Sequence, residues 1–236
     1  MISVIIPAYN EEKRIGKTLL KMSEYMASSF SDYEILVVDD GSLDNTKRAV
    51  EPFLSDKVKL LSYEENLGKG GAVKHGVKNA KGDIIIFTDA DLPYPPENIK
   101  RAEEIIETSG VDFILGVRTQ ADGGKKYPLK RRIMSKVFSF FVKTITGLDV
   151  HDTQCGFKAF KRDCAKAVFD KTTIFGWGFD VEAIFIAIKY GFSYTRLSVE
   201  LYHDIGGSKV RAIKDSAKMI KELKKIKENE KNGIYD

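Results

Sequence analysis

Two carboxylates one residue apart, Asp89 and Asp91, are the side chains in this sequence best placed to do chemistry. They follow Ile84-Ile85-Ile86-Phe87, an apolar, mostly β-branched run that reads as a strand buried on both faces. Side chains at i and i+2 of an extended segment point the same way, so Asp89 and Asp91 can converge on one object. Two like charges that close repel each other unless a cation lies between them. Carboxylate oxygens are hard ligands suited to Mg2+ or Mn2+, ions that keep several waters and bind phosphate oxygens. The plain alternative for such a pair is a solvated acidic turn.

Strand and helix patterns alternate around that pair. Ile2 to Ile6 reads as a buried strand ended by Pro7, and a helix from about Glu11 carries Ile15, Leu19 and Met22 on one face. Glu34 to Val38 is a second strand running into Asp39-Asp40-Gly41-Ser42, with Asp44 expected to cap the next helix. Val58 to Leu61 is a third strand, and Asn66-Leu67-Gly68-Lys69-Gly70-Gly71 a glycine-rich turn into a helix. After the strand before Asp89 come a helix over Pro96–Glu107 and a strand over Val111–Val117. This rhythm predicts an α/β fold: a Rossmann-like, mostly parallel sheet flanked by helices. Ligands of such sheets bind at the carboxyl ends of the strands. Pro7–Glu11, Asp39–Ser42, Glu64–Lys69, Asp89–Asp91 and Arg118 are therefore expected to face one crevice.

At 236 residues the chain can bury a full core, as one large domain or a domain with an extension. A net charge of +4 is too small to imply a nucleic-acid partner. Two cysteines, Cys155 and Cys164, make neither a disulfide framework nor a zinc pattern, and are expected reduced and buried in a cytosolic protein. The apolar start lacks a basic lead and runs into Pro7, as a strand rather than a signal peptide. No apolar run approaches the roughly 18 residues that span a bilayer. The expected location is cytoplasmic, peripheral on the cytoplasmic face of a membrane.

The rhythm changes after Arg118. Ala121–Tyr127 reads as a mobile loop, and Lys130 to about Ile145 as a helix whose apolar surface is broader than a one-sided core contact requires. No acidic residue lies between Asp122 and Asp149, while Lys125, Lys126, Lys130, Arg131, Arg132, Lys136 and Lys143 do. Such a helix either packs on the core with a basic solvent stripe or sits at a membrane interface among anionic head groups. Two clusters follow, Asp152-Thr153-Gln154-Cys155-Gly156-Phe157-Lys158 and Phe175-Gly176-Trp177-Gly178-Phe179-Asp180-Val181-Glu182, the second leading into a helix. Phe192–Leu201 reads as a strand, His203–Lys209 as a flexible loop, and Val210 onward as an amphipathic, lysine-rich helix; Asn229–Asp236 are expected frayed.

Pro7-Ala8-Tyr9-Asn10-Glu11, Asp39-Asp40-Gly41-Ser42-x-Asp44-x-Thr46, Asn66-x-Gly68-Lys69-Gly70 and Asp89-Ala90-Asp91, in that order, resemble family 2 glycosyltransferases of the GT-A fold. The downstream clusters resemble the dolichyl-phosphate β-glucosyltransferases within it, whose near relatives are the dolichyl-phosphate mannose synthases. The resemblance implies a nucleotide-sugar-binding half over 1–118 and an acceptor-side α/β half over 119–209, and leaves unplaced the C-terminal amphipathic basic helix and tail over 210–236. It implies a donor pocket of Pro7, Tyr9, Glu11, Asp39, Lys69, Asp89, Ala90 and Asp91, with Asp39 on the base. Asp91 is implied as principal ligand of a Mg2+ or Mn2+ ion, with Asp89 beside it. Arg118 and Lys209 would meet phosphates. Arg118, Arg131, Arg132, Asp152, Gln154 and Trp177 would border the acceptor. Asp91, Arg118, Asp180 and Lys209 are the candidate catalytic residues, Asp180 as base or sugar ligand. Many mannose synthases carry a polar residue where this chain has Pro93, and often an arginine where it has His203; both departures favour the glucosyl branch.

The resemblance implies an inverting, metal-dependent transfer of a hexose, with UDP-glucose favoured over GDP-mannose, to a polyprenyl phosphate. That acceptor is largely ionised at neutral pH, so it needs cations to hold it more than a base to activate it. The competing readings are a soluble sugar acceptor, a phosphatase whose Asp-x-Asp would end the first strand instead of the fourth, a nucleotidyltransferase, and a silent nucleotide-sugar-binding module.

Overall fold

The computed structural model describes residues 1–119, 129–150, 152–200 and 212–236, and among these the side chains outside 129–136 and 212–217. Its strands are β1 (Ile2–Ala8), β2 (Tyr33–Asp40), β3 (Val58–Tyr63), β4 (Ile84–Phe87), β5 (Phe113–Thr119), β6 (Lys158–Lys161) and β7 (Tyr194–Glu200). Its helices are α1 (Ile15–Ser29), α2 (Thr46–Val50), α3 (Lys69–Asn79), α4 (Asn98–Ser109), α5 (Leu129–Thr146), α6 (Arg162–Lys171), α7 (Phe179–Lys189) and α8 (Ala212–Lys231).

The strands form one sheet in the order β3-β2-β1-β4-β6-β5-β7. All neighbours run parallel except β6, which pairs antiparallel with both β4 and β5. Strand order reverses at β1 and β4, the switch point where open α/β sheets form their ligand crevice. Every residue of β1 and β2 is buried, as the apolar runs Val4-Ile5-Ile6 and Ile35-Leu36-Val37-Val38 within them require. The period of two divides the core between the faces. Ile5, Leu36, Ile85 and Phe87 pack with α3, α6 and α7 on one side. Val4, Ile6, Val37 and Ile86 pack with α1 and α4 on the other.

Three sequence expectations are corrected. Pro7 lies inside β1, which runs to Ala8. Ile5 accepts the Thr88 amide on the β4 side, and pairing with β4 ends at Ile5↔Phe87. Two residues on, Pro7 turns its missing N–H to that same, already open side, so the ladder loses nothing. β6 was not expected from the sequence; it is four residues long and contains two lysines. Residues 229–236 are anchored, not frayed, through the buried Asn229 and Tyr235 and the paired Asp236. Tyr235 is fully buried and donates its hydroxyl to Glu182 Oε1 at 2.6 Å, Asn229 Nδ2 reaches Tyr235 Oη at 3.1 Å, and Lys189 holds Asp236 at 2.5 Å. Both cysteines are free and buried, as expected. Among the described residues no helix is long and apolar enough to cross a membrane.

Candidate active site

β2 ends in two adjacent carboxylates, and a loop follows them. Asp40 is a scaffold. It accepts the Tyr63 hydroxyl at 2.7 Å and the amides of Leu67 and Gly68 at 2.9 Å each, fixing the turn that delivers Lys69. Asp39 is fully buried, yet neither of its carboxylate oxygens has a hydrogen-bond partner. Lys47 Nζ stands 3.7 Å away. A buried carboxylate costs stability unless something donates to it. Asp39 is thus a vacant acceptor at the carboxyl end of β2. The rest of that loop braces its neighbour: Ser42 Oγ, Thr46 Oγ1 and Asp44 accept the amides of Asn10, Glu11 and Glu12 at 3.0, 2.8 and 3.2 Å. Asp44 also accepts the Thr46 amide at 2.9 Å, though the capping position of α2 is Asn45. The backbone following Pro7 and Tyr9 is held by side chains from after β2.

Asp89 and Asp91 stand just past β4. Thr18 Oγ1 donates to the Ala90 carbonyl at 2.7 Å, and the Leu92 amide closes on the Asp89 carbonyl at 3.0 Å. Leu92 takes a left-handed φ of +46°, unfavourable for leucine and a sign that the turn is held under constraint. Asp89 receives the Lys69 ammonium. Burial alone would lower the Lys69 pKa; the charges of Asp89 and Asp180 outweigh it and raise it. Asp91 keeps about half of its side chain exposed, with Arg14 Nη1 at 3.7 Å. Arg14 is itself gripped by Glu11, at 2.5 Å to Oε2 and 2.7 Å to Oε1. Burial, then the charge of Asp89, pushes the Asp91 pKa up. A cation between the two carboxylates would relieve the unfavourable charge that Asp89 places on Asp91. Among the described residues no three His, Cys, Asp or Glu side chains cluster as a complete metal cage. The pair fits an ion that finishes its shell with water and substrate oxygens, as Mg2+ and Mn2+ do.

The downstream clusters meet this centre from the other side. A Cβ on Gly156 would overlap Asp89 Oδ2, so only glycine lets the two motifs close. Arg118 and Asp152, expected to serve separately, form a forked pair: the Arg118 amide donates to Oδ2 at 2.8 Å, and Nε lies 2.9 Å from the same oxygen. Asp152 reaches it with φ at +55°, a region aspartate tolerates. Burial pulls the Arg118 pKa down, but Asp152 more than offsets it. Asp180, in the first turn of α7, is buried and bound by Lys158 Nζ at 2.5 Å; the same ammonium donates to the Cys155 carbonyl at 2.7 Å. Gln154 Nε2 donates to the Trp177 carbonyl at 3.4 Å, and Trp177 is 40% exposed. Arg131 and Arg132 lie on α5 where side chains are not described, and His203 and Lys209 lie outside the described residues.

Sequence reading missed Arg14 and Lys158 as partners of the acidic residues. Lys158 carried a signal, since a lysine between Phe157 and Ala159 in an apolar stretch requires a counter-charge once buried. Arg14 carried none beyond its spacing from Glu11.

A model of the glycosyl transferase family 2 matches residues 3–169. A dolichyl-phosphate β-glucosyltransferase of Dictyostelium discoideum is 32% identical over 249 residues, covering 99% of this chain and 76% of the relative. One of Saccharomyces cerevisiae is 31% identical with the same coverage, and one of Homo sapiens 30% identical, covering 89% and 69%. Among solved structures, glucosyl-3-phosphoglycerate synthase from Mycobacterium tuberculosis superposes with a TM-score of 0.71 at 18% identity, over 96% of this chain and 80% of that one. Its complex with Mn2+, UDP and glucosyl-3-phosphoglycerate gives 0.69 at 17% identity, over 94% and 77%. The sheet order, the crevice at its switch point and the length of these matches agree: the chain belongs to glycosyl transferase family 2, with the GT-A fold.

Proposed function

We propose that this glycosyltransferase moves glucose from UDP-glucose to a polyprenyl phosphate of the dolichyl type, with inversion at the anomeric carbon. One observation carries the donor half. Asp39 is buried and accepts no hydrogen bond beside the switch point, with the Asp89–Asp91 pair on the far side of β1. An imide N–H of a nucleotide base would satisfy Asp39 while the diphosphate lies toward Asp89 and Asp91. The relatives' names support glucose and the dolichyl phosphate acceptor.

On this reading residues 1–118 take the donor, 119–209 the acceptor, and 210–236 brace the acceptor side. Pro7, Tyr9 and Glu11 line the nucleotide. Asp89 and Asp91 would hold a Mg2+ or Mn2+ ion, which when bound neutralises charge building on the departing diphosphate. Lys69 lies within reach of that diphosphate, its ammonium kept protonated by Asp89 and Asp180. An ionised acceptor phosphate supplies the attacking oxygen. A C–O bond forms at the anomeric carbon, the bond to the diphosphate breaks, and the electron pair leaves with the diphosphate. An acceptor already ionised loses no proton, so Asp180, neutralised by Lys158, is better suited to hold a sugar hydroxyl than to act as base. Arg118, aligned by Asp152, faces the acceptor together with Gln154 and Trp177. Arg131, Arg132 and Lys209 would add positive charge there. Val137 and Phe140 of α5, 48% and 64% exposed, supply an apolar surface for peripheral contact with the membrane that holds such a lipid.

The test is a transfer assay with radiolabelled UDP-glucose or GDP-mannose, polyprenyl monophosphate in detergent, and Mg2+ or Mn2+. Label is expected in lipid from UDP-glucose alone, lost on chelation and in Asp91→Ala at unchanged melting temperature. Label from GDP-mannose alone, or turnover retained in Asp91→Ala, overturns the reading.

A further inference from the structure

Trp177 stands on a short loop gripped from two sides. On the donor side, Gly70 donates its amide to the Phe175 carbonyl at 3.0 Å. A Cβ on Gly70 would come within 2.9 Å of Phe175 Cα, so the glycine-rich turn that carries Lys69 is seated directly on this loop. On the other side lies Glu222 of α8. Its carboxylate accepts the Gly178 amide at 2.7 Å, at the start of α7, where the helix leaves its first amides without internal partners. A Cβ on Gly176 would overlap Glu222 Oε1, and one on Gly178 would come within 2.9 Å of Glu222 Cβ. Both glycines flanking Trp177 are therefore shaped to admit this one side chain. Glu222 is half-buried, and burial pushes its pKa up.

We infer that Glu222 is a positioning residue for transfer: from the terminal helix it clamps the Gly176–Gly178 loop and so sets the Trp177 ring against the acceptor. Trp177 shows 40% of its surface, and its carbonyl is met by Gln154, so the clamp also aligns a second acceptor-side residue. α8 thereby contributes to the acceptor pocket without touching substrate. The inference rests on the acceptor reading proposed above for Trp177, and the two can fail separately.

Trp177 is the only tryptophan in the chain, so its emission reports this loop and nothing else. Glu222→Ala is expected to red-shift that emission and raise its quenching by acrylamide. The KM for polyprenyl phosphate should rise about tenfold, the factor set by losing ~1.4 kcal/mol of charge-assisted hydrogen bonding. UDP affinity, measured by calorimetry, should stay within about twofold. Glu222→Gln, which keeps an acceptor in place, should restore the wild-type emission. Gly176→Ala, by pushing the carboxylate off Gly178, should reproduce the Glu222→Ala effects, and the double variant should add little. It also reports the same contact if Glu222→Ala fails to fold. A folded Glu222→Ala with wild-type emission and quenching overturns the clamp. Altered emission with an unchanged acceptor KM overturns its role in transfer. Absence of lipid transfer by the wild type overturns the acceptor reading, and the fluorescence result still decides the clamp.

Discussion

Asp39 and Asp40 are neighbours of the same type with opposite duties, because β-strand geometry sends their side chains to opposite faces. Asp40 satisfies two backbone amides, the Asn66 side-chain amide and a phenol, while Asp39 accepts no hydrogen bond within the protein. Asp40→Ala would orphan those donors and is expected to cost about 3 kcal/mol of stability. Asp39→Ala loses no hydrogen bond and should stay within about 1 kcal/mol of wild type. Its cost belongs to ligand binding: UDP affinity should fall about tenfold or more, as expected for losing a charged acceptor. Denaturant unfolding and calorimetry on the two variants separate these roles. Equal destabilisation by both would remove Asp39 from the donor pocket.

At the scale of elements, the sheet's first three strands are tied at their amino ends by a single buried acid. Glu34 of β2 accepts the Ser3 hydroxyl and the Lys81 amide at 2.7 Å each, and Lys59 Nζ at 3.0 Å. Burial alone would raise its pKa; the Lys81 amide, the Ser3 hydroxyl and Lys59 outweigh burial and hold it below the ordinary value of 4.5. A folded pKa below the unfolded one adds stability that is whole above about pH 4.5 and lost as pH falls through the folded value. Urea midpoints between about pH 3 and 7 should therefore drop at the acid end for the wild type, and Glu34→Gln should lack that part of the drop. Identical acid slopes would show that Glu34 does not carry it. The same logic explains why residues 229–236 are ordered: Glu182 on α7 also takes the amides of Thr173 and Ile174, at 2.9 and 2.8 Å, and Tyr235 and Asn229 complete its surroundings.

For the whole molecule, no described helix is long and apolar enough to cross a membrane, and α5 carries the apolar surface proposed to meet the lipid acceptor. α5 is part core and part surface: Val142 is buried, while Phe140 is 64% exposed. Binding to anionic vesicles is expected to weaken on Arg131→Glu with Arg132→Glu, most at low salt, because each base near such a surface contributes about 1 kcal/mol that screening removes. Phe140→Asp should weaken binding at every salt concentration, since apolar insertion is not screened. Flotation assays at two ionic strengths distinguish the two. Unchanged binding in both variants would return α5 to a purely structural role.

The alternation of apolar runs and turns was enough to determine the parallel half of the sheet, because strand period and crossover connection are local properties. The placing of Asp39, Lys69, Asp89 and Arg118 at the carboxyl ends of the strands followed from the rule that such sheets bind ligands there. Lys158–Asp180, Arg118–Asp152 and Arg14–Asp91 did not follow: these partners are far apart in sequence and are chosen by distance in space. Nor did β6, whose four residues with two lysines hold their place only between β4 and β5. Glu182 closes a sequence motif, and Glu222 carries no signal in the sequence that sets it apart from the rest of its helix. Tertiary packing alone made them the acids that hold the C-terminal residues and the Trp177 loop, because a carboxylate's role is set by which amides the fold brings to it.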